Sequence, residues 1–317
     1  VNAASLMFGC ALLITWGAPA VIERLASSGI SPHWGVTAWL TAVGAALASW
    51  LAVIVLAGSA AVRSLATGSQ LTICGKPVHA IGPVDLPAPL TTAMVGGFAG
   101  LGMAIYLLTV YRVGAAARRG RAGNREHASA ARILGQPVIA GGAAVIITAD
   151  QPAAYCVAAG RRDTIVLTSA AMDRLDDAGV AAVIAHENAH LRGRHPLITA
   201  VLSALADALP RFTVLTAAAR AVPPLLEMCA DDTAVGVHGR GPLLDSLVAL
   251  ACAPAASRVA PEGVLQAAAV AVVARVTRLV TPASARHRWR ERTALSAIIG
   301  ITAALPALAI LLCDVLG

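Results

Sequence analysis

Hydrophobic and charged positions in this chain fall into separate blocks rather than alternating. Four stretches hold no Asp, Glu, Lys or Arg at all: Val1 to Ile22, Val36 to Val62, Thr91 to Tyr111 and Thr293 to Cys313. Each supplies the roughly 20 apolar residues that a helix needs to cross a bilayer core. Trp16, Trp34, Trp39 and Trp50 sit within or beside the first two, where interfacial anchors are expected. No basic segment precedes the first stretch and no clear small-residue cleavage site follows it, so a spanning helix is expected there rather than a signal peptide.

Between residues 112 and 292 the pattern is that of a folded domain. Ala144 to Thr148, Tyr155 to Ala158 and Thr164 to Thr168 are short β-branched or apolar runs. Gly160-Arg161-Arg162-Asp163 joins the last two as a turn. Ser169 is placed as a helix cap. Val180, Val183, Ile184 and Leu191 recur at helical spacing over 178–192, with Gly193 and Pro196 as stop signals. Leu197 to Ala221 is strongly apolar but carries Asp207, Pro210, Arg211 and Arg220. That favours a helix packed on the domain or against the membrane over a fifth, kinked span. Pro223 and Pro224 are expected to open a further helix, and 264–280 is helical with Arg275 and Arg278 on one face. The expected organisation is three spans with an external loop at 62–90 (1–111), a domain (112–292) and a closing span (293–317). The fold class is α+β, mostly helical.

Composition sharpens this picture. Apolar residues make up 57 % and charged residues 13 %, about half the charge of an ordinary soluble protein. The net charge of +7 is carried almost wholly by arginine, Lys76 being the only lysine. Arg112, Arg118, Arg119, Arg121, Arg125 and Arg132 follow the third span, and Arg286, Arg288, Arg290 and Arg292 precede the fourth. This is the distribution of cytoplasm-facing flanks, so the domain is expected in the cytoplasm of a bacterial-type cell and both chain ends outside. The basic run after Tyr111 has no interleaved aromatic residues, which argues against direct nucleic-acid binding. The six cysteines show no metal spacing and no disulfide framework.

Residues 186–190 read His-Glu-Asn-Ala-His. On a helix, positions i and i+4 share a face, so His186 and His190 can point nitrogens at one Zn2+. Glu187 then projects beside the metal, where it can take a proton from the attacking water. Two residues compete as third ligand. His195 misses the spacing of a third histidine in HExxHxxGxxH by one residue, since Pro196 occupies that place. Glu227 has Asp231 one turn later, so that Glu227 can ligate while Asp231 holds a histidine through its free N–H. His238 and Arg240, which follow, are candidate oxyanion stabilisers.

The HExxH helix, the downstream Glu-x-x-x-Asp with Ala230 before its Asp, and the flanking spans resemble the BlaR/MecR-type integral membrane zinc metallopeptidases. They are similar, more distantly, to HtpX/Ste24 membrane peptidases. The resemblance implies a gluzincin-type metallopeptidase domain with His186, His190 and Glu227 as ligands, Glu187 as base and Asp231 behind the metal. It also implies an edge strand at Ala153, Ala154 and Tyr155, running to Val157, that takes a peptide or protein substrate by β-addition. The implied substrate is a cytosolic transcriptional repressor in a signalling pathway. A quality-control protease of HtpX/Ste24 type and a non-catalytic zinc-containing receptor are the alternatives. The sequence holds no Ser-x-x-Lys, because Ile73 lies three positions before Lys76, so acylation by a β-lactam through such a pair is not expected.

Overall fold

The structure is a computed structural model in which residues 3–69, 71–73, 76–77, 87–138, 144–160, 162–251 and 262–316 are described. The first span is one rod: α1 (Ala3–Leu12), a π-helical turn (Leu13–Gly17) and α2 (Ala18–Ala26). It is followed by α3 (Pro32–Thr67) and α4 (Ala88–Leu134), and the chain closes on α11 (Ala285–Leu316). Among the described residues, four helices are long and apolar enough to cross a membrane: Leu6–Ala26, Pro32–Thr67, Ala88–Leu134 and Ala285–Leu308. They coincide with the four uncharged stretches.

The third of these outruns its apolar part. α4 is 47 residues long, about 70 Å at 1.5 Å per residue. The arginine-rich segment after Tyr111 is therefore not a linker. Rich in alanine and arginine and free of proline, it continues the helix and lays Ala128 and Ala131 on the sheet core beside Val145 and Val166. On the opposite side, β1 (Thr72–Ile73) and β2 (Lys76–Pro77) form a two-residue antiparallel ladder in the connection expected at 62–90, which narrows to 68–87 because α3 runs to Thr67 and α4 starts at Ala88. Residues 70, 74–75 and 78–86 of that loop lie outside the described residues.

The sheet beyond α4 has the order β3 (Gln136–Pro137), β4 (Ala144–Ile147), β6 (Thr164–Thr168), β5 (Ala154–Val157). β4 and β6 are parallel, and β5 runs antiparallel to β6 with Ala154 opposite Leu167 and Val157 opposite Thr164. The turn before β6 is held by Gly160 N–H donating to Asp163 Oδ1 at 2.7 Å. All five residues of β6 are buried. Among the described residues β5 is an edge.

Six helices follow: α5 (Ser169–Met172), α6 (Asp177–Arg192), α7 (His195–Ala208), α8 (Thr213–His238), α9 (Arg240–Ala251) and α10 (Glu262–Val280). Three expectations are corrected here. The cap of α5 is Thr168, whose Oγ1 accepts from Ala171 N–H at 3.2 Å, not Ser169. Pro223 and Pro224 lie inside α8 rather than at its start. The buried row Val214, Leu215, Ala218, Val222 and Leu225 holds the helix through the two missing N–H donors. Leu197 to Ala221, expected as one packed helix rather than a fifth span, is a hairpin of α7 and the first half of α8; α7 has 14 residues, too few to cross.

The tip of that hairpin packs among the spans. Phe212 contacts the rings of Trp16 and Trp50, each with centroids at 5.7 Å. Thr213 Oγ1 donates to the Thr15 carbonyl at 2.6 Å, inside the π-helical turn, and Trp50 Nε1 donates to Thr15 Oγ1 at 3.0 Å. The largest apolar cluster runs from Ile22, Trp39 and Val43 on the spans to Leu215, Leu226 and Met228 on α8, and to Leu295 on α11. The helix that carries Glu227 is thus anchored in the membrane-helix bundle itself. Gly29 (φ +59°), in the turn between α2 and α3, faces Met228 so closely that a Cβ would lie 2.3 Å from its Sδ. This turn lies at the end of the bundle where α8 packs and α11 begins, and the end of α3 and the start of α4 lie at the other.

Candidate metal centre

α6 starts where Asp176 Oδ1 accepts from Gly179 N–H at 2.8 Å, with Asp177 adding charge that favours a helix N-terminus. Val180, Val183 and Ile184 bury against Ile165 and Leu167 of β6. Ala182 packs with Ala234 and Leu243 on α8 and α9. This orientation turns His186 and His190 toward α8, where they are 7 % and 9 % exposed.

α8 presents Glu227 and Asp231 to the same place. His186 Nε2 and His190 Nε2 lie 3.1 Å apart. His186 Nε2 is 3.5 Å from Glu227 Oε2, and His190 Nε2 is 3.5 Å from Glu227 Oε1. Ligands at the usual zinc distances around a tetrahedral ion stand about 3.3 Å from one another. Three donors of the right kind are therefore gathered at the right mutual spacing, and His186, His190 and Glu227 fit a zinc ion.

The other ring nitrogens are held from behind. His186 Nδ1 is buried with no well-aligned hydrogen bond; its nearest acceptor is Asp231 Oδ1 at 3.1 Å. His190 Nδ1 is 3.0 Å from His195 Nδ1. An N–H donated by His190 to His195 leaves His190 Nε2 with the lone pair that a metal requires. The chain makes this contact by a tight reversal. Arg194 adopts φ +53°, and Gly193 leaves room for the His195 ring, since a Cβ there would lie 2.3 Å from its Nε2. His195 is thus behind His190 rather than a rival of Glu227.

Arg275 of α10 closes the cluster. Its Nε and Nη2 donate to Asp231 at 2.8 and 2.6 Å, and its Nη1 is 3.0 Å from Glu227 Oε2. Asp231 is fully buried. Burial would raise its pKa, but Arg275 and His186 hold it below the ordinary value. Burial would lower the pKa of His186, yet the carboxylates of Asp231 and Glu227 beside its two ring nitrogens carry it up to about 9. His190, which has no such bond from Asp231, is pushed down to about 4, mainly by burial. Glu227 lies below the ordinary value because His186 and Arg275 overcome its burial. The pKa of Glu187 is raised, chiefly by burial.

A cavity of about 450 Å³ opens over these groups. Glu187, His186, His190, Glu227 and Arg275 line its floor; Val183, Leu243, Leu247, Leu250 and Val272 form an apolar wall; Ala154, Tyr155 and Cys156 of β5 form a rim. The Cys156 thiol sits beside Glu187 and is pushed up to about 12, first by burial and then by that carboxylate. Tyr155 is tied outward, its hydroxyl 3.0 Å from His127 Nε2. Ala153 accepts from Thr168 N–H at 3.0 Å. The alternation of an antiparallel ladder then turns the N–H and C=O of Ala154 and Cys156 out of the free edge, toward the cavity.

His186, Glu187, His190, Glu227, Asp231 and the edge strand converge here. His238 and Arg240 are not among the residues lining the cavity. Eleven residues beyond Glu227 on one helix puts His238 about 16 Å along the axis. Arg275 is the site residue that spacing did not single out; its only signal was an arginine pair on the face of an apolar helix, which asks for buried acidic partners. The family model of peptidase family M48 matches residues 124–294, a segment containing all of these groups. No curated protein and no solved structure matches the chain.

Proposed function

The chain belongs to peptidase family M48, and on that premise we propose that it is a membrane-bound zinc endopeptidase whose metal is held by His186, His190 and Glu227. Members of the family are zinc-dependent metalloproteases. The observation that carries the assignment is the convergence of two imidazole Nε2 atoms and one carboxylate at 3.1–3.5 Å, beside an unpaired strand edge. When bound, zinc supplies Lewis acidity that lowers the pKa of a water molecule and polarises the scissile carbonyl.

The chain's own groups do the rest. A substrate segment adds to the outward N–H and C=O groups of Ala154 and Cys156. That lays its backbone across the cavity, with a side chain against the apolar wall of Val183, Leu243 and Leu247. Glu187 takes the proton of the attacking water and passes it to the leaving amine; the rise in its pKa on burial suits it to hold that proton in between. Asp231 and His195 keep the two imidazoles in register, and Arg275 holds both Asp231 and Glu227.

The arginine flanks of α4 and α11 support a cytoplasmic catalytic side. The substrate is then a cytosolic or inner-leaflet protein. Cleavage of a single regulator, such as a repressor in a BlaR/MecR-like pathway, is the finer reading. The test is a comparison of protein N-termini in cells carrying the parent or Glu187→Gln. Parent-specific ends from one or a few proteins support regulated cleavage, and ends from many membrane proteins support a quality-control role. Identical N-termini in both would refute peptidase activity through Glu187.

A further inference from the structure

A second cavity, of about 630 Å³, lies between α8, α10, the start of α11 and the turn after α2. Arg240, Arg278, Arg288 and Arg292 line it, against the single carboxylate of Asp232. That carboxylate is already taken: Arg278 Nη2 donates to both its oxygens at 2.7 and 2.6 Å, and Arg278 Nε donates to the Gly29 carbonyl at 2.8 Å. Glu291, the other acid nearby, is committed elsewhere. It accepts from Ser28 Oγ at 3.0 Å and from Ser31 N–H at 3.2 Å, and is 9 % exposed. Among the described residues Arg240, Arg288 and Arg292 have no acidic partner.

The cavity's place along the helices indicates its ligand. Three apolar helices meet there: the first span ends at Ala26, the second begins at Pro32, and the fourth begins at Ala285. Trp34 and Trp289 stand at the same ends, 39 % and 67 % exposed, as in the aromatic belt at a membrane–water boundary. Arg288 Nη1 donates to the Ala283 carbonyl, and none of the three guanidiniums has an acidic partner among the described residues; at the depth of lipid phosphates such groups bind phosphate with paired hydrogen bonds. Basic pockets between spans are a known way of holding anionic headgroups. We infer that this cavity binds the phosphate headgroup of an anionic phospholipid in the leaflet facing the catalytic domain. The cavity shares α8 and α10 with the surroundings of the metal centre, with Arg278 three residues after Arg275 and Asp232 next to Asp231.

The full chain, purified in mild detergent, is incubated with phosphatidylglycerol, phosphatidylcholine or inorganic phosphate, and bound lipid is counted by native mass spectrometry. Phosphatidylglycerol is expected to bind in preference to phosphatidylcholine and to resist displacement by equimolar phosphate. Arg288→Gln with Arg292→Gln should weaken it roughly thirty-fold. The Arg288→Lys with Arg292→Lys pair, which keeps the charge but not the paired hydrogen bonds, should fall between the parent and the glutamine pair, and Arg118→Gln with Arg119→Gln should have no effect. If the glutamine pair does not fold, Arg292→Gln alone, which removes no hydrogen bond seen in the structure, should weaken binding roughly five-fold. Equal retention of phosphatidylcholine would overturn the inference, as would equal loss in the Arg118/Arg119 pair or in the lysine pair. Displacement by phosphate would reassign the cavity to a soluble anion. Binding is read directly, so the result does not depend on peptidase activity.

Discussion

Replacing Arg275 by methionine removes charge while keeping most of the side-chain volume. Two hydrogen bonds to Asp231 are lost, at 2.6 and 2.8 Å, and a 3.0 Å contact to Glu227. The Glu227 contact is the smaller part, since that side chain is 39 % exposed and solvent screens it. The Asp231 contact is fully buried on the acid side and 11 % exposed on the arginine side. Removing one partner of such a pair costs about 3–5 kcal/mol, because the other charge stays buried. At about 2 cal/mol/K of unfolding entropy per residue, a chain of 317 residues loses about 1.5 °C of Tm per kcal/mol. Metal-free protein in detergent should therefore melt roughly 4–8 °C lower in Arg275→Met than in the parent. Combining Arg275→Met with Asp231→Asn removes the orphaned charge, so the double variant should lose less than the sum of the single losses, by about 2 kcal/mol or more. A drop under about 2 °C, or strictly additive losses, would show that Arg275 does not hold the cluster.

Zinc affinity should rise with pH. Metal-free His186, with its pKa carried up to about 9, must release a proton on binding, whereas His190, near 4, is already neutral. A chelator-buffered titration should show affinity rising about tenfold per pH unit from 7 to 9 and levelling above 9; a flat profile contradicts the assigned protonation. By the same linkage, the stability that charged His186 gives the metal-free protein is complete below its ordinary pKa of about 6.5 and is lost as pH rises through 9. Ala154→Pro deletes an N–H that points away from the β6 ladder, so the sheet should fold while peptide kcat/KM falls about tenfold; unchanged kinetics would remove β-addition from the account. His195→Ala frees His190 Nδ1 and should weaken zinc binding about 10–100-fold, and an affinity equal to the parent's would make the His190–His195 contact incidental.

The spans and the two-histidine helix were legible in the sequence because each rests on a local signal: uncharged length in one case, an i, i+4 pair in the other. Glu227 was legible only beside that pair, since an acidic pair on a helix has many other causes. Less was visible where distant segments meet. Arg275 lies 44 residues from Asp231, and no local pattern ties the two. Spacing places His195 near the metal helix as a possible ligand, but the reversal at Arg194 turns its ring behind His190. Paired prolines signal a helix start, yet those of α8 sit inside it because their local cost is outweighed by a buried face that packs on distant spans.

Zinc content per chain, measured on purified parent, Glu187→Gln and Glu227→Ala proteins alongside their peptidase activity, tests the central claim most directly. The parent and Glu187→Gln should each hold a single zinc ion, with peptidase activity in Glu187→Gln at least about a hundredfold lower. Glu227→Ala should lose most of its zinc. A Glu227→Ala protein that keeps the parent's zinc, or a Glu187→Gln protein that keeps the parent's activity, would contradict the assignment of ligand and base.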